Sequence, residues 1–139
     1  MTGNDFVAFF LRTLLHVLMG NTMLITVTGS KTGRQYSTPV GFYRDHDCLW
    51  VMTNRDRTWW RNIRKGANVS LLLKGKSLKA FAELESDEKA VEARMFDYIR
   101  RVPLAAKPLG IRMENKAPIR EDIVSAAKDR LFVKIQLDR

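Results

Sequence analysis

The sequence predicts a mainly β domain of the α+β class, in which six strands form an antiparallel barrel and helices pack outside it. Three observations lead to this prediction. Six β-rich runs follow one another with few of the long crossovers that parallel strands need. Hydrophobic residues make up 45% of the chain, which is typical of a globular protein. No linker, repeat or low-complexity segment divides the 139 residues, so we expect a single domain, 1–139.

Hydrophobic periodicity and turn residues predict the elements in order. The six β-rich runs lie at residues 23–28, 35–43, 49–53, 69–73, 77–84 and 131–137. Helices are expected at about 4–19, 58–65, 86–101 and 119–128. Gly66 ends the second helix, and Ser86 is the expected N-terminal cap of the third. One face of the third helix is predicted to be apolar and consists of Val91, Met95 and Tyr98/Ile99.

The N-terminal segment at residues 6–19 is apolar and helix-like, although Arg12 and His16 interrupt it. It is too short to span a bilayer, and it lacks the flanking features of a signal peptide. We therefore predict an amphipathic helix that covers the sheet or one end of the barrel. The alternative is a helix that lies on a membrane surface. The expected location is the cytoplasm, with peripheral membrane contact under the alternative.

Cysteine and histidine are too scarce for several kinds of site. Cys48 is the single cysteine, which excludes a disulfide framework and a cysteine-rich metal site. The two histidines, His16 and His46, lie in different kinds of segment, so we expect no metal site. A Ser-His-Asp triad is also disfavoured, because His46 belongs to a predicted turn at residues 44–47.

The most informative stretch is the loop between the first two predicted strands, where Gly29 and Gly33 flank a lysine and two hydroxyl side chains. Small residues allow the backbone to approach an anion, and Ser30, Lys31 and Thr32 can hydrogen-bond a phosphate. A P-loop is excluded, because that motif needs Gly-Lys-Ser/Thr and here a serine precedes the lysine. The alternative interpretation of the loop is an ordinary hairpin turn.

A second signal is the net charge of +9, which indicates an anionic partner. Five basic residues lie close together and are interleaved with Trp59 and Trp60. They are Arg55, Arg57, Arg61, Arg64 and Lys65. A solvated helix face and a module that binds nucleic acid or a membrane surface are the alternatives. Since no nucleic-acid-binding motif is present, we expect no nucleic acid and favour a polyanionic ligand in a cleft.

The order of these motifs resembles the deazaflavin-dependent nitroreductases, which belong to the FMN-binding split β-barrels related to pyridoxamine-phosphate oxidases. The match covers roughly residues 20–85, and the last of its matching elements is Asn68-Val69. They are Thr28-Gly-Ser-Lys-Thr-Gly33, Thr38-Pro-Val40, Arg44-Asp-His-Asp47 and Trp59-Trp-Arg-Asn-Ile63. The resemblance implies a six-stranded antiparallel split β-barrel and a homodimer.

The resemblance also implies a cofactor and its site. The expected cofactor is the deazaflavin coenzyme F-420, with FMN as the alternative, and the expected reaction is hydride transfer to a quinone, nitro compound or activated alkene. The residues that the resemblance assigns to the cofactor are Ser30, Lys31, Thr32, Gly33, Arg34, Thr38, Pro39, Val40, Met52, Thr53, Asn54, Trp60 and Arg61. Tyr36 and Tyr98 are both candidate proton donors. We name no catalytic residue.

The chain departs from the family pattern at three places. Ser30 and Tyr36 replace arginines that are common in the family, and Arg34 is a shifted substitute for one of them. The stretch Ala105–Lys116 replaces a tyrosine-rich tail. These departures leave the choice between F-420 and FMN open. A non-catalytic flavin- or haem-binding barrel is a further alternative.

Overall fold

The dominant feature of the fold is a curled antiparallel sheet of seven strands. It is seen in a computed structural model that describes residues 22–29 and 31–138, so the expected N-terminal helix and Ser30 lie outside the described residues. The strands of this sheet are β1 (Thr22–Thr28), β2 (Gln35–Gly41), β3 (Tyr43–Asp45), β4 (Cys48–Asn54), β5 (Ala67–Leu73), β6 (Lys76–Glu85) and β9 (Arg130–Leu137). A separate two-stranded hairpin pairs β7 (Met113–Glu114) with β8 (Ala117–Pro118).

The prediction of six strands is wrong, because the run at residues 35–43 forms two strands. β2 pairs along its whole length with β1, whereas β3 pairs with β4. The strand order β2-β1-β5-β6-β9-β4-β3 puts these two strands at opposite edges of the sheet. Only Phe42 separates them in sequence, so the sheet must curl until its edges meet. The α+β split-barrel class is therefore correct, with seven strands in place of six.

Alternation of side chains along the strands divides the core into two layers. One set of side chains fills the barrel and includes Ile25, Val51, Leu71 and Val133. The opposite face of β4 and β9 carries Trp50 and Phe132, which pack under the helices. The helix-facing layer matters for the site because it contains a pocket.

Two helices cover that outer face. Helix α1 spans Glu88–Arg101, and α2 spans Arg120–Ala127. The buried face predicted for α1 is confirmed, since Val91, Met95, Tyr98 and Ile99 are all buried. Among residues 22–29 and 31–138, no helix has both the length and the apolar character required to cross a bilayer.

The predicted cap of α1 is wrong by one residue. Asp87, not Ser86, is the N-cap, and its Oδ2 accepts a hydrogen bond from the Ala90 backbone N–H at 3.1 Å. Asp87 has the extended backbone of a cap residue and stands three residues before the N–H that it satisfies. Ser86 has a different role, because its carbonyl accepts from the Arg55 guanidinium.

An ion-pair network fastens the β3–β4 turn to α1. Asp45 accepts from Arg94 at 2.7 Å and from Arg101 at 3.0 Å. The Arg94 guanidinium also stacks on the Trp50 ring, 3.8 Å from its centroid. The hydrogen bond from Arg94, assisted by the charge of Arg101, lowers the pKa of Asp45. The network thereby fixes the helix over the outer layer of the core.

Candidate functional site

The loop between β1 and β2 is closed by its own hydrogen bonds. The Gly29 N–H donates to the Arg34 carbonyl at 2.6 Å, and the Gly33 N–H donates to the Gly29 carbonyl at 3.0 Å. Gly33 has a φ of 72°, a conformation that favours glycine. A Cβ on Gly29 would lie 2.8 Å from the Tyr36 ring. The loop is therefore a hairpin connection, and it leaves the Lys31 side chain exposed.

A short 3₁₀ helix, Trp59–Ile63, faces this loop and is anchored to the end of β4. The Trp59 indole N–H donates to the Thr53 hydroxyl at 3.2 Å, and the Trp60 indole N–H donates to the Asn54 carbonyl at 3.2 Å. The helix has about three residues per turn, so Arg61 and the following Arg64 project from one side. Both guanidinium groups lie over the Trp60 ring, at 5.7 and 5.5 Å from its centroid.

The loop and the 3₁₀ helix enclose a groove of about 580 Å³, here called the cationic groove. Its lining consists of Gly29, Lys31, Thr32, Tyr36, Thr58, Trp59, Arg61, Asn62 and Arg64. In the part of the chain that the structure describes, no carboxylate forms an ion pair with Lys31, Arg61 or Arg64. Three uncompensated cations beside two threonine hydroxyls fit an anionic group such as a phosphate.

A second cavity, here called the apolar pocket, lies between the sheet and α1 and has a volume of about 240 Å³. It is lined by Gly41, Phe42, Tyr43, Trp50, Met52, Thr53, Asn54, Tyr98, Ala105, Pro108, Leu109, Arg130 and Phe132. Thr53 lines this pocket and also holds Trp59, which lines the cationic groove. The two cavities share no lining residue, but the Thr53–Trp59 hydrogen bond at the end of β4 links their walls.

Two tyrosines bring phenol groups to the apolar pocket. Burial raises the pKa of Tyr43 to about 12, against the opposing effect of its hydrogen bond from Arg94. Burial also raises the pKa of Tyr98. The Tyr98 hydroxyl has no hydrogen-bond partner among the residues described. Both phenols are therefore protonated at neutral pH, and that of Tyr98 is available to a bound molecule.

The structure brings some of the sequence-predicted residues together and separates others. Lys31, Thr32 and Arg61 line the cationic groove, whereas Met52, Thr53 and Asn54 line the apolar pocket. Trp60 lies under the arginines. The remaining predicted residues line neither cavity and are Gly33, Arg34, Thr38, Pro39 and Val40, while Ser30 is outside the described residues.

The predicted site residues on β2 point to different faces of the sheet, because neighbouring side chains on a strand alternate. Thr38 and Val40 pair with Ile25 and Met23, whose side chains fill the barrel, so Pro39 projects from the outer face. The residues of the predicted basic cluster likewise do not all face the cationic groove. Arg55 donates to the Ser86 carbonyl at 2.9 Å and so turns away from the cationic groove.

Sequence reasoning missed several lining residues. Trp59 and Arg64 belong to the predicted basic stretch but were not assigned to the cofactor, although they lie next to or one turn beyond the assigned Trp60 and Arg61. Tyr43 and Arg130 had no local signal, because the pairing of β3 with β4 and of β4 with β9 brings them to the pocket. Among residues 22–29 and 31–138, no group of three or more His, Cys, Asp or Glu residues could hold a metal ion.

Comparison with known proteins supports the same fold. A conserved hypothetical protein from Mycobacterium tuberculosis is 14% identical, with a TM-score of 0.58 over 100% of this chain and 82% of that chain. A Clostridium acetobutylicum protein related to general stress protein 26, of the pyridoxinephosphate oxidase family, is 15% identical, with a TM-score of 0.53 over 94% and 84%. An F-420 reductase is 12% identical, with a TM-score of 0.51 over 86% and 87%. At these identities, the likeness shows a shared fold.

Sequence comparison identifies the family. No curated protein sequence gives a significant match. The model of the F-420H(2)-dependent quinone reductase family matches residues 11–118, which is most of the chain. The resemblance to deazaflavin-dependent split barrels is thereby confirmed. With its seven-stranded split barrel and its cationic groove, the chain belongs to the F-420H(2)-dependent quinone reductase family.

Proposed function

We propose that this protein is a reductase that uses reduced F-420 to reduce a small organic acceptor. Quinones are the first acceptors to test, and nitro compounds and activated alkenes are the others. The observation that carries the proposal is a pair of cavities, one cationic and one apolar, whose walls are linked by the Thr53–Trp59 hydrogen bond at the end of β4. An anionic cofactor and an apolar acceptor require cavities of these two kinds.

The cationic groove fits F-420 better than FMN. F-420 carries a phosphate and a glutamate tail, whereas FMN carries one phosphate. Lys31, Arg61 and Arg64 provide three cations that have no carboxylate partner in the described part of the chain. This number exceeds what a single phosphate needs. We propose that the loop holds the phosphate through Lys31 and Thr32, and that Arg61 and Arg64 contact the tail.

The apolar pocket would hold the acceptor. A cavity of about 150 Å³ in another protein binds benzene, so a pocket of about 240 Å³ has room for one or two fused rings. Phe132 and Trp50 provide flat apolar walls. Their packing excludes water from the reacting atoms, which protects a hydride donor from side reactions.

When bound, reduced F-420 supplies the hydride. The contribution of this chain is to bind the cofactor and the acceptor in the two cavities and to donate one hydrogen bond to the acceptor. The Tyr98 phenol is kept protonated by burial and has no competing partner among the described residues, so it donates a hydrogen bond to an acceptor oxygen. Tyr36, the other candidate donor, is 47% exposed and lines the cationic groove instead.

The other assignments remain proposals. We propose a homodimer, because split barrels of this type commonly pair near the cofactor. We also retain the N-terminal helix at about 4–19 and a cytoplasmic location, with membrane contact through that helix as the alternative. A flavin-binding barrel without turnover and a module that binds nucleic acid or a membrane surface remain the competing functions.

Fluorescence titration of the purified protein with F-420 and with FMN tests the cofactor. We expect tighter binding of F-420, and preferential binding of FMN would overturn the assignment. Oxidation of reduced F-420 in the presence of a naphthoquinone then tests the reaction. Binding without acceptor-dependent oxidation would favour the non-catalytic alternative.

A further inference from the structure

The apolar pocket contains one charged residue, Arg130, in its lining. Arg130 is the first residue of β9 and pairs with Asn54 at the end of β4. Side chains two residues apart on a strand share a face. Phe132 faces the helices and lines the pocket, so the Arg130 side chain projects toward the same side. A guanidinium group therefore borders an otherwise uncharged cavity.

Arg130 is half-buried and has no anionic partner in the part of the chain that the structure describes. Its Nη1 donates to the Ala126 carbonyl at 3.0 Å, which holds the side chain in place. Arg94, Arg101 and Arg112 differ, since each forms an ion pair with a carboxylate, whereas Arg55, like Arg130, donates to a backbone carbonyl. A partly desolvated cation without a counterion is unfavourable, and a bound anion would offset that cost.

The surroundings of Arg130 do not neutralise it. A groove adjoins the pocket at Asn54 and Arg130, and its charged lining also includes Arg55, Asp56, Lys128 and Asp129. Neither aspartate reaches Arg130 within ion-pair distance. Two carboxylates thus face three basic groups in this region, so the balance at the mouth of the pocket is positive.

We propose that the acceptor is an aromatic compound that carries a carboxylate. Its ring system occupies the apolar pocket beside the Trp50 and Phe132 rings, which contact each other edge to face, and its carboxylate binds the Arg130 guanidinium. The planar guanidinium matches a carboxylate with two parallel hydrogen bonds, and its anchor on Ala126 reduces the entropy lost on binding. This inference rests on the proposed function, because it takes the apolar pocket as the acceptor site.

The test uses two probes that differ in charge and do not react, 2-naphthoate and 2-naphthamide. Calorimetry measures the affinity of the protein for each, with and without F-420. We expect wild-type protein to bind 2-naphthoate about tenfold more tightly, the lower end of what a charge-assisted contact provides. Arg130→Met should abolish this preference, and Arg130→Lys should retain part of it. The control is Arg57→Met, which removes one exposed charge that lines neither cavity and should keep the preference.

Equal affinities for the two probes in wild-type protein would overturn the proposal. A preference that survives in folded Arg130→Met would also overturn it, as would a loss of F-420 affinity in that variant, since Arg130 would then hold the cofactor. These outcomes are separate from failure of the proposed function. If the protein does not bind F-420 but prefers 2-naphthoate through Arg130, the proposed reductase function is refuted. If it oxidises reduced F-420 but prefers neither probe, the proposed carboxylate site is refuted.

Discussion

Replacement of Lys31 by alanine is the most direct perturbation of the proposed cofactor site. A hydrogen bond to a charged group contributes about 1.5–3 kcal/mol, whereas an exposed ion pair contributes about 1 kcal/mol or less. Lys31 is exposed at the rim of the cationic groove, so solvent screens its contact with the phosphate. We therefore expect a loss at the lower end, about 1.5 kcal/mol, which corresponds to roughly a tenfold rise in the F-420 dissociation constant.

The matched control is Arg55→Ala, which also removes one positive charge but at a residue of the predicted basic cluster. The Arg55 guanidinium donates to the Ser86 carbonyl, away from the groove, so F-420 affinity should stay at the wild-type value. Calorimetry at low and high salt measures both variants, and the Lys31 effect should shrink as salt screens the contact. The thermal midpoint of Lys31→Ala should stay unchanged, because an exposed loop lysine adds little to folding. Wild-type affinity in Lys31→Ala would refute the loop as the phosphate site.

Three further predictions concern stability, the loop and assembly. Asp45→Asn removes the shorter of the two ion pairs of Arg94, so we expect a loss of about 1 kcal/mol near neutral pH in denaturant titration. The pKa of Asp45 is lowered from 3.8 in the folded protein, so its contribution is fully present above that pH and is lost as the pH falls through the lower folded-state value. The gap between variant and wild type should therefore narrow only below pH 3.8, and a constant gap would contradict the pairing. Gly29→Ala places a Cβ against the Tyr36 ring, so F-420 affinity should fall several-fold with little change in the thermal midpoint. An unchanged affinity would mean that cofactor binding does not depend on the shape of the loop. Light scattering should give a homodimer, and a species of 16.0 kDa alone at micromolar concentration would contradict it.

Local sequence patterns were sufficient for most of the secondary structure. The alternation of Leu131, Val133 and Ile135 predicts their burial in the barrel, and this is confirmed. The apolar face of α1 is likewise confirmed at Val91 and Met95. Such patterns succeed because burial of one face depends on residue spacing within one element. The number of strands was wrong because the break at Phe42 has no local mark, and only pairing with distant strands shows it.

The same distinction applies to the site. The sequence by itself predicted a phosphate-binding loop at Lys31 and a ligand-binding basic segment that contains Arg61, because glycine, lysine and hydroxyl residues have their chemistry wherever they lie. Only the tertiary structure decided that these segments share a groove while Arg55 turns away. It also brought Tyr98 and Arg130 into one pocket with Asn54, although helix α1 and strand β9 are far from β4 in sequence. Strand register and helix packing determine such neighbours, and both are properties of the whole fold, which no local pattern encodes.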